Sequence, residues 1–198
     1  MRDLTRVRDD KTCDELWLLE HQPVYTLGIR SRTEDAPSDA QGIGVVQSDR
    51  GGLITYHGPG QAIVYTLLDI RRSRLGIKAL VEILEQSVID LLASRGLASH
   101  RRENAPGVYV EGKKLASLGL RMINGRTYHG LSLNVDMDMA PFEQIHPCGF
   151  EGLQMTDLAR LGWEEDAGRT GRLLVGEICR QLGYTRMLQG EARWISQT

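Results

Sequence analysis

Two β-rich stretches, residues 115–123 and 127–135, are separated by Asn124-Gly125. That dipeptide strongly constrains the fold, because a type I′ turn needs positive φ at both central residues and Asn-Gly supplies it at low cost. A long antiparallel hairpin therefore stands in the second half of the chain. Further strands are predicted at Leu16–Leu19 and Val24–Leu27 around a His21-Gln22-Pro23 turn, at Val45-Val46, Leu53–Tyr56, Ala62–Leu68 and Val108–Val110. Residues 30–42 read as a loop. Against these, Ile77, Leu80, Val81, Leu84, Val88, Leu91 and Leu92 follow helical spacing, which predicts a helix over 76–95 closed by Gly96. Leu174, Ile178 and Leu182 mark a last helix ending at Gly183, and Thr156 is a candidate cap for a short one. Antiparallel runs with helices between them define an α+β protein, with helices packed on a mostly antiparallel or mixed sheet.

The chain has 198 residues, enough for one domain with its own core, so residues 1–198 are expected to form a single catalytic domain. Twenty-four Lys+Arg against 26 Asp+Glu leave a net charge of −2, which supplies no basic field for nucleic acid. No apolar run is long enough to span a membrane, and the first residues do not resemble a secretory signal. Three cysteines, Cys13, Cys148 and Cys179, are too few for a disulfide framework and suggest a reducing, cytoplasmic setting. Cys and His spacing offers no metal motif, and Asp136 and Asp138 lack the rest of a calcium loop, so no metal and no cofactor are expected.

Three clusters could carry chemistry. The first is Arg50-Gly51-Gly52-Leu53-Ile54-Thr55-Tyr56-His57-Gly58-Pro59-Gly60-Gln61, where glycines allow close approach to a ligand and Arg50 and His57 add a fixed and a switchable cation. A glycine-rich hairpin with a core histidine is the alternative reading. The second is Lys113-Lys114-Leu115-Ala116-Ser117-Leu118-Gly119. Alternation sends Lys113 and Lys114 to opposite faces, so either both guard a sheet edge or one turns inward and needs a partner. The third is His146-Pro147-Cys148-Gly149, which presents a thiol between a fixed φ and an unhindered residue. Cys179, beside Ile178 on a helix, reads as a small buried hydrophobe.

Together these clusters resemble the lipoyl(octanoyl) transferases. Arg50–Gln61 matches that family's R-G-G-x-x-T-[YF]-H-G-x-G-Q block, Lys114–Gly119 its K-[IL]-x-S-[LI]-G block, His129–Asn134 its H-G-[LF]-[AS]-[LI]-N block, and His146–Gly149 its Pro-Cys-Gly block, in the same order. The resemblance runs from about Asp14 to Tyr184. It implies the fold shared with biotin and lipoate protein ligases (class II synthetase-like) and transfer of an octanoyl or lipoyl group from acyl carrier protein to a lysine of lipoyl domains. The acceptors implied are the 2-oxoacid dehydrogenase E2 subunits and the glycine cleavage H protein, with a monomeric enzyme. It also implies Cys148 as the thioester-forming nucleophile and Lys114 as its acid/base partner. The implied substrate-binding residues are Arg50, Gly51, Gly52, Leu53, Ile54, Thr55, Tyr56 and His57, Ser117, Leu118 and Gly119, and Gly130, Leu131 and Ser132.

Leu118, Leu131 and Leu133 are candidates to line an apolar slot for the acyl chain. Backbone N–H groups near Gly51-Gly52 or beside Cys148 are candidate oxyanion donors. Arg71, Arg72 and Arg74, and Arg101-Arg102, are candidate docking cations for an acidic carrier, or simply solvated charges. Family members carry a further strand and most of a helix ahead of the segment matching Met1, so only a helix end is expected over Met1–Arg8. The rival readings are an ATP-dependent lipoate- or biotin-type ligase, which needs no nucleophilic thiol, a thioester hydrolase, and a non-catalytic module that only binds acyl carrier.

Overall fold

The computed structural model describes residues 1–145, 152–188 and 190. A short helix α1 (Arg2–Val7) precedes strands β1 (Glu15–Leu19) and β2 (Val24–Leu27). After a single 3₁₀ turn come β3 (Gly44–Gln47), β4 (Thr55–His57) and β5 (Gln61–Leu67), then helix α2 (Ile77–Ala93). Strands β6 (Gly107–Val110), β7 (Lys113–Ile123) and β8 (Arg126–Asn134) follow, then α3 (Ala140–Glu143) and α4 (Ala167–Gln181).

The strands form a five-stranded sheet in the order β1-β5-β8-β7-β6, wholly antiparallel, and a three-stranded sheet β3-β2-β4. In the small sheet β2 runs parallel to β3 and antiparallel to β4. The hairpin predicted at Asn124-Gly125 is present: φ is +51° and +74° at the two residues, and the β7–β8 register runs from Ile123↔Arg126 to Ala116↔Leu133.

The apolar face of α2, through Leu80, Leu84, Val88, Leu91 and Leu92, is buried against one face of the large sheet together with Leu174 and Ile178 of α4. Each of those side chains contributes about 1.5–3 kcal/mol by leaving water. A second, smaller core of Tyr25, Leu27, Ile54, Tyr56, Met137, Met139, Phe142 and Ile145 packs around the small sheet. Asp166 caps α4 by accepting from the Arg169 N–H.

The strands expected on either side of His21-Gln22-Pro23 are present and do not pair with each other: β1 joins β5 and β2 joins the second sheet, so the proline turn carries the chain between sheets. Two local expectations change. Leu53 and Ile54 precede β4 rather than belonging to it, since only 55–57 ladder with β2. Thr156 caps nothing; its N–H bonds Lys114 O, and it is Asp157 that accepts from the Arg160 N–H at the 3₁₀ turn Ala159–Leu161. Among the described residues no helix is long and apolar enough to cross a membrane.

Candidate active site

The cleft opens where the two sheets meet. Its wall from the large sheet is the paired stretch of β7 and β8, in which Ser117 faces Ser132, Leu118 faces Leu131 and Gly119 faces Gly130. Opposite lie Arg50, Gly52, Leu53, Ile54, Thr55 and His57 from the loop before β4 and from β4 itself. Ile63 and Tyr65 of β5, with His21, Thr26, Ser48, Lys114 and His129, complete the lining. Counting its open mouth, the space is about 730 Å³.

Missing side chains on two strands make this cleft possible. A Cβ on Gly119 would lie 2.9 Å from Gly51 O and 3.1 Å from Arg50 Cδ, so the Arg50–Gly52 loop could not rest on β7. It does rest there, with the Gly51 N–H bonded to Leu120 O. A Cβ on Gly130 would lie 1.9 Å from Val64 O, inside the β5–β8 ladder.

Arg50 is buried and holds the loop against β2. Its Nη2 donates to Thr26 O at 2.6 Å and to Thr26 Oγ1 at 2.8 Å, and its Nη1 to Gly51 O at 3.1 Å. The guanidinium thus supplies fixed positive charge in a cleft whose histidines are neutral. His57 Nδ1 lies 2.7 Å from Gln61 Oε1. The proton position follows from a chain of donors: Asn134 Nδ2 donates to the backbone oxygen of Thr156, and Gln61 Nε2 donates to Asn134 Oδ1. Gln61 Oε1 therefore accepts, Nδ1 of His57 carries the proton, and Nε2 keeps its lone pair. Burial drives His57 down to about 3, against the bond to Gln61 and with the charge of Arg50 acting in the same direction as burial. Its imidazole is neutral throughout the physiological range.

A second polar cluster stands beside it. His129 Nε2 donates to Asp49 Oδ1 at 2.8 Å, and Tyr128 Oη donates to Asp49 Oδ2 at 2.5 Å, where Arg2 also reaches at 3.0 Å. Burial alone would raise the Asp49 carboxyl; the bonds from His129 and Tyr128, with the charges of His129 and Arg2, bring it to about 2. Burial lowers His129, outweighing its bond to Asp49, so at neutral pH this contact is a hydrogen bond from a neutral ring to a carboxylate. His129 has φ +59°, a conformation that costs a non-glycine residue on the order of 1 kcal/mol, inside a strand. His21 Nε2 and Tyr65 Oη are 2.5 Å apart, and burial pushes the Tyr65 phenol up to about 12.

Lys114 turns inward, as one of the two readings of Lys113-Lys114 required. β7 lies between β8 and β6, so it is no sheet edge; Lys113 is exposed while Lys114 is among the most buried large side chains. Its Nζ donates to Pro106 O at 2.8 Å and lies 5.6 Å from the centre of the Tyr109 ring. Its backbone receives the chain returning after residue 151: Lys114 N donates to Gln154 O, and Thr156 N to Lys114 O.

Of the sequence-predicted residues, Lys114, Arg50, Gly52, Leu53, Ile54, Thr55, His57, Ser117, Leu118, Gly119, Gly130, Leu131 and Ser132 meet in this one cleft. Gly51 lies just behind its lining, and Tyr56 points into the smaller core. Leu133 belongs to the main core and not to the slot. Cys148, with His146, lies outside the described residues. Sequence reading missed His21, Tyr65 and His129 as cleft residues, Asp49 as the partner of His129, and the Gln61–Asn134 relay behind His57. Gln61, His129 and Asn134 stood inside quoted motifs, whereas His21 was hidden in a proline turn.

Arginines of the basic runs also make bonds within the chain. Arg71 bonds Asp69 and Asp10, Arg72 donates to Thr12 O, and Arg101 pairs with Glu85. Cys13 is exposed, and Cys179 is buried with its thiol pushed up by burial. Among the described residues no group of His, Cys, Asp and Glu could hold a metal ion.

Fold and cleft together define an α+β domain with a site between its two sheets, and the model of the lipoyl protein ligase A/B catalytic domain matches residues 2–167. The chain is 53% identical to the octanoyltransferase of Nitrosococcus oceani over 96% of its own length and 85% of that protein's, and 57% identical to that of Halorhodospira halophila over 82% and 74%. In fold it is similar to lipoate-protein ligase A bound with ATP, with a TM-score of 0.77 at 14% identity over 92% of this chain and 78% of that one. The biotin protein ligase of Aquifex aeolicus in complex with biotin and ATP gives 0.52 at 18% identity over 64% and 51%. The chain belongs to the lipoyl protein ligase A/B catalytic domain family, on the octanoyltransferase branch, and is an acyltransferase that moves octanoyl groups in protein lipoylation.

Proposed function

We propose that residues 1–198 act as one catalytic domain that takes an octanoyl group from acyl carrier protein onto Cys148 and passes it to a lysine of a lipoyl domain. Lys114 serves as the acid and base. The observation that carries this reading is the buried ammonium of Lys114 in an apolar-sided cleft, with its own backbone bonded to Gln154, six positions after Cys148.

In the first half-reaction the Cys148 thiolate attacks the carrier thioester. A C–S bond forms to Cys148, the carrier sulfur leaves with the electron pair, and Lys114 donates a proton to it. One thioester replaces another, so this exchange is close to balanced. In the second half-reaction the neutral amine of the acceptor lysine attacks the acyl-enzyme. Its proton passes to the now neutral Lys114, an amide C–N bond forms, and Cys148 leaves as thiolate, which restores the starting state. Formation of the amide makes this step downhill. Covalent catalysis divides the transfer between two proteins into separate steps, and proton exchange with a fixed amine fits general acid–base catalysis. A free thiol titrates near about 8.5, so a nearby cation is needed to hold a useful fraction as thiolate at neutral pH.

Leu53, Ile54, Ile63, Leu118 and Leu131 give the acyl chain its apolar walls. The acceptors are lipoyl domains of 2-oxoacid dehydrogenase E2 subunits and the glycine cleavage H protein; a bipartite lipoate protein ligase of similar fold, from Thermoplasma acidophilum, was solved as part of a lipoylation system with its E2 lipoyl domain. Mixing the protein with octanoyl carrier protein is expected to add one octanoyl mass, located on the peptide containing Cys148. Cys148→Ala is expected to gain none. An unchanged adduct on that variant, or loading of free octanoate only with ATP, rejects the reading.

A further inference from the structure

The peptide unit that receives Lys114 is itself held by a carboxylate. Pro106 O accepts from Lys114 Nζ at 2.8 Å. The N–H of the same peptide group, that of Gly107, donates to Glu85 Oε1 at 2.8 Å. Glu85 sits on α2, 29 residues before Lys114, and is buried. Its other oxygen, Oε2, pairs with Arg101 Nε at 3.1 Å. One amide plane therefore separates a buried carboxylate from a buried ammonium, bonded at opposite ends.

A carboxylate accepting from an amide N–H draws the amide dipole toward it and makes the carbonyl at the far end a better acceptor. Gly107 completes the arrangement. Its φ is +145°, and a Cβ there would lie 2.5 Å from Lys114 Cε and 2.6 Å from Ala116 O. Only glycine lets the amide turn its two faces to these partners.

We propose that Glu85 is a positioning residue for octanoyl transfer: through the 106–107 peptide it fixes the Lys114 ammonium in the place from which it serves the acceptor sulfur. This rests on the reading of Lys114 and Cys148 as a pair. A purely structural role for Glu85, tying α2 to β6, predicts a change in stability alone. The positioning role predicts a change in the reactivity of a thiol that Glu85 does not touch. Other charged or titratable groups around Lys114 are Tyr109, whose ring lies beside the ammonium, and Arg50, His57, His129 and His21 across the cleft. His100 and Arg102 pack on Tyr109. None of these touches Glu85; Arg101, which does, is held in addition by Glu82 O and Gln86 Oε1.

The test is the pH profile of Cys148 alkylation, read by peptide mapping so that Cys13 and Cys179 are counted separately, in the full chain. Glu85→Gln keeps an oxygen to accept from the Gly107 N–H and removes only the charge. It is expected to move the profile upward by about half to one pH unit, so that alkylation at pH 7 slows about three- to tenfold. Glu85→Asp keeps the charge but withdraws it by one methylene; it is expected to shift the profile the same way by less, and it serves if the glutamine variant does not fold. In a Lys114→Ala background either Glu85 change is expected to add nothing, because both act through one group. If Lys114→Ala moves the profile but Glu85→Gln and Glu85→Asp do not, the role of Glu85 falls and the Cys148–Lys114 pair stands. If Lys114→Ala leaves the profile where it was, the pair falls and the role of Glu85 with it. A Glu85 shift that persists in full without Lys114 overturns the route through the peptide.

Discussion

Replacing His57 by glutamine separates one half-buried imidazole from everything else that titrates in the cleft. His57 is neutral when folded, with burial holding it down to about 3, while an unfolded histidine titrates near about 6.5. Between those values the unfolded chain binds a proton that the folded chain refuses. Stability therefore rises with pH across this window: it is fully held above about 6.5 and falls as pH drops toward the folded value. At pH 5 almost every unfolded imidazole is protonated, which costs the folded state about 2 kcal/mol relative to pH 7. His21 and His129 are lowered by burial too, so the wild-type protein loses stability from all three. Glutamine in place of His57 cannot take the proton and still reaches Gln61 with an amide N–H. Urea unfolding at pH 7 and pH 5 is expected to show a pH penalty smaller by about 2 kcal/mol in His57→Gln than in the wild type. Equal penalties in the two proteins would refute the assignment of a neutral ring at pH 5.

Gly130→Ala places a Cβ 1.9 Å from Val64 O, so the β5–β8 ladder must open; a loss of about 3 kcal/mol or more is expected in denaturant unfolding, and a near-neutral change would contradict the close approach. Arg71→Ala is expected to lower the melting temperature through lost bonds to Asp69 and Asp10 while leaving KM for the carrier protein unchanged. A raised KM at unchanged melting temperature would return that run to the docking surface. Lys114→Ala is expected to slow thiol alkylation at pH 7, and an unaltered rate would remove the lysine from the chemistry.

Local signals in the sequence carried much of the fold. The hairpin at Asn124-Gly125 needs only two residues with positive φ, and the α2 helix only its apolar spacing, so each is decided by a short window. The placement of β1 and β2 in different sheets is not local: the same proline turn serves a hairpin or a crossing between sheets, and the partner strands β5 and β4 decide which. Lys114 shows the same division. Alternation sets Lys113 and Lys114 on opposite faces, but whether β7 is an edge or an interior strand depends on β6 and β8. The polar relay His57–Gln61–Asn134–Thr156 joins residues up to 99 positions apart, and the Glu85–Gly107 bond crosses from a helix to a sheet. A buried glutamate on an otherwise apolar helix face was the available signal, because a charge there needs a partner. Asp49 offered none, since an aspartate before an Arg-Gly-Gly loop reads as an ordinary turn residue.

In the proposed mechanism the acyl group pauses on Cys148 between its two protein partners. The most direct measurement is a single-turnover chase: octanoyl-enzyme freed of carrier protein is mixed with a lipoyl domain, and both masses are followed in time. The octanoyl mass is expected to leave Cys148 and to appear as an amide on the domain lysine, at a rate no slower than steady-state turnover. An acyl-enzyme that persists, that releases free octanoate, or that turns over more slowly than the complete reaction would contradict the mechanism.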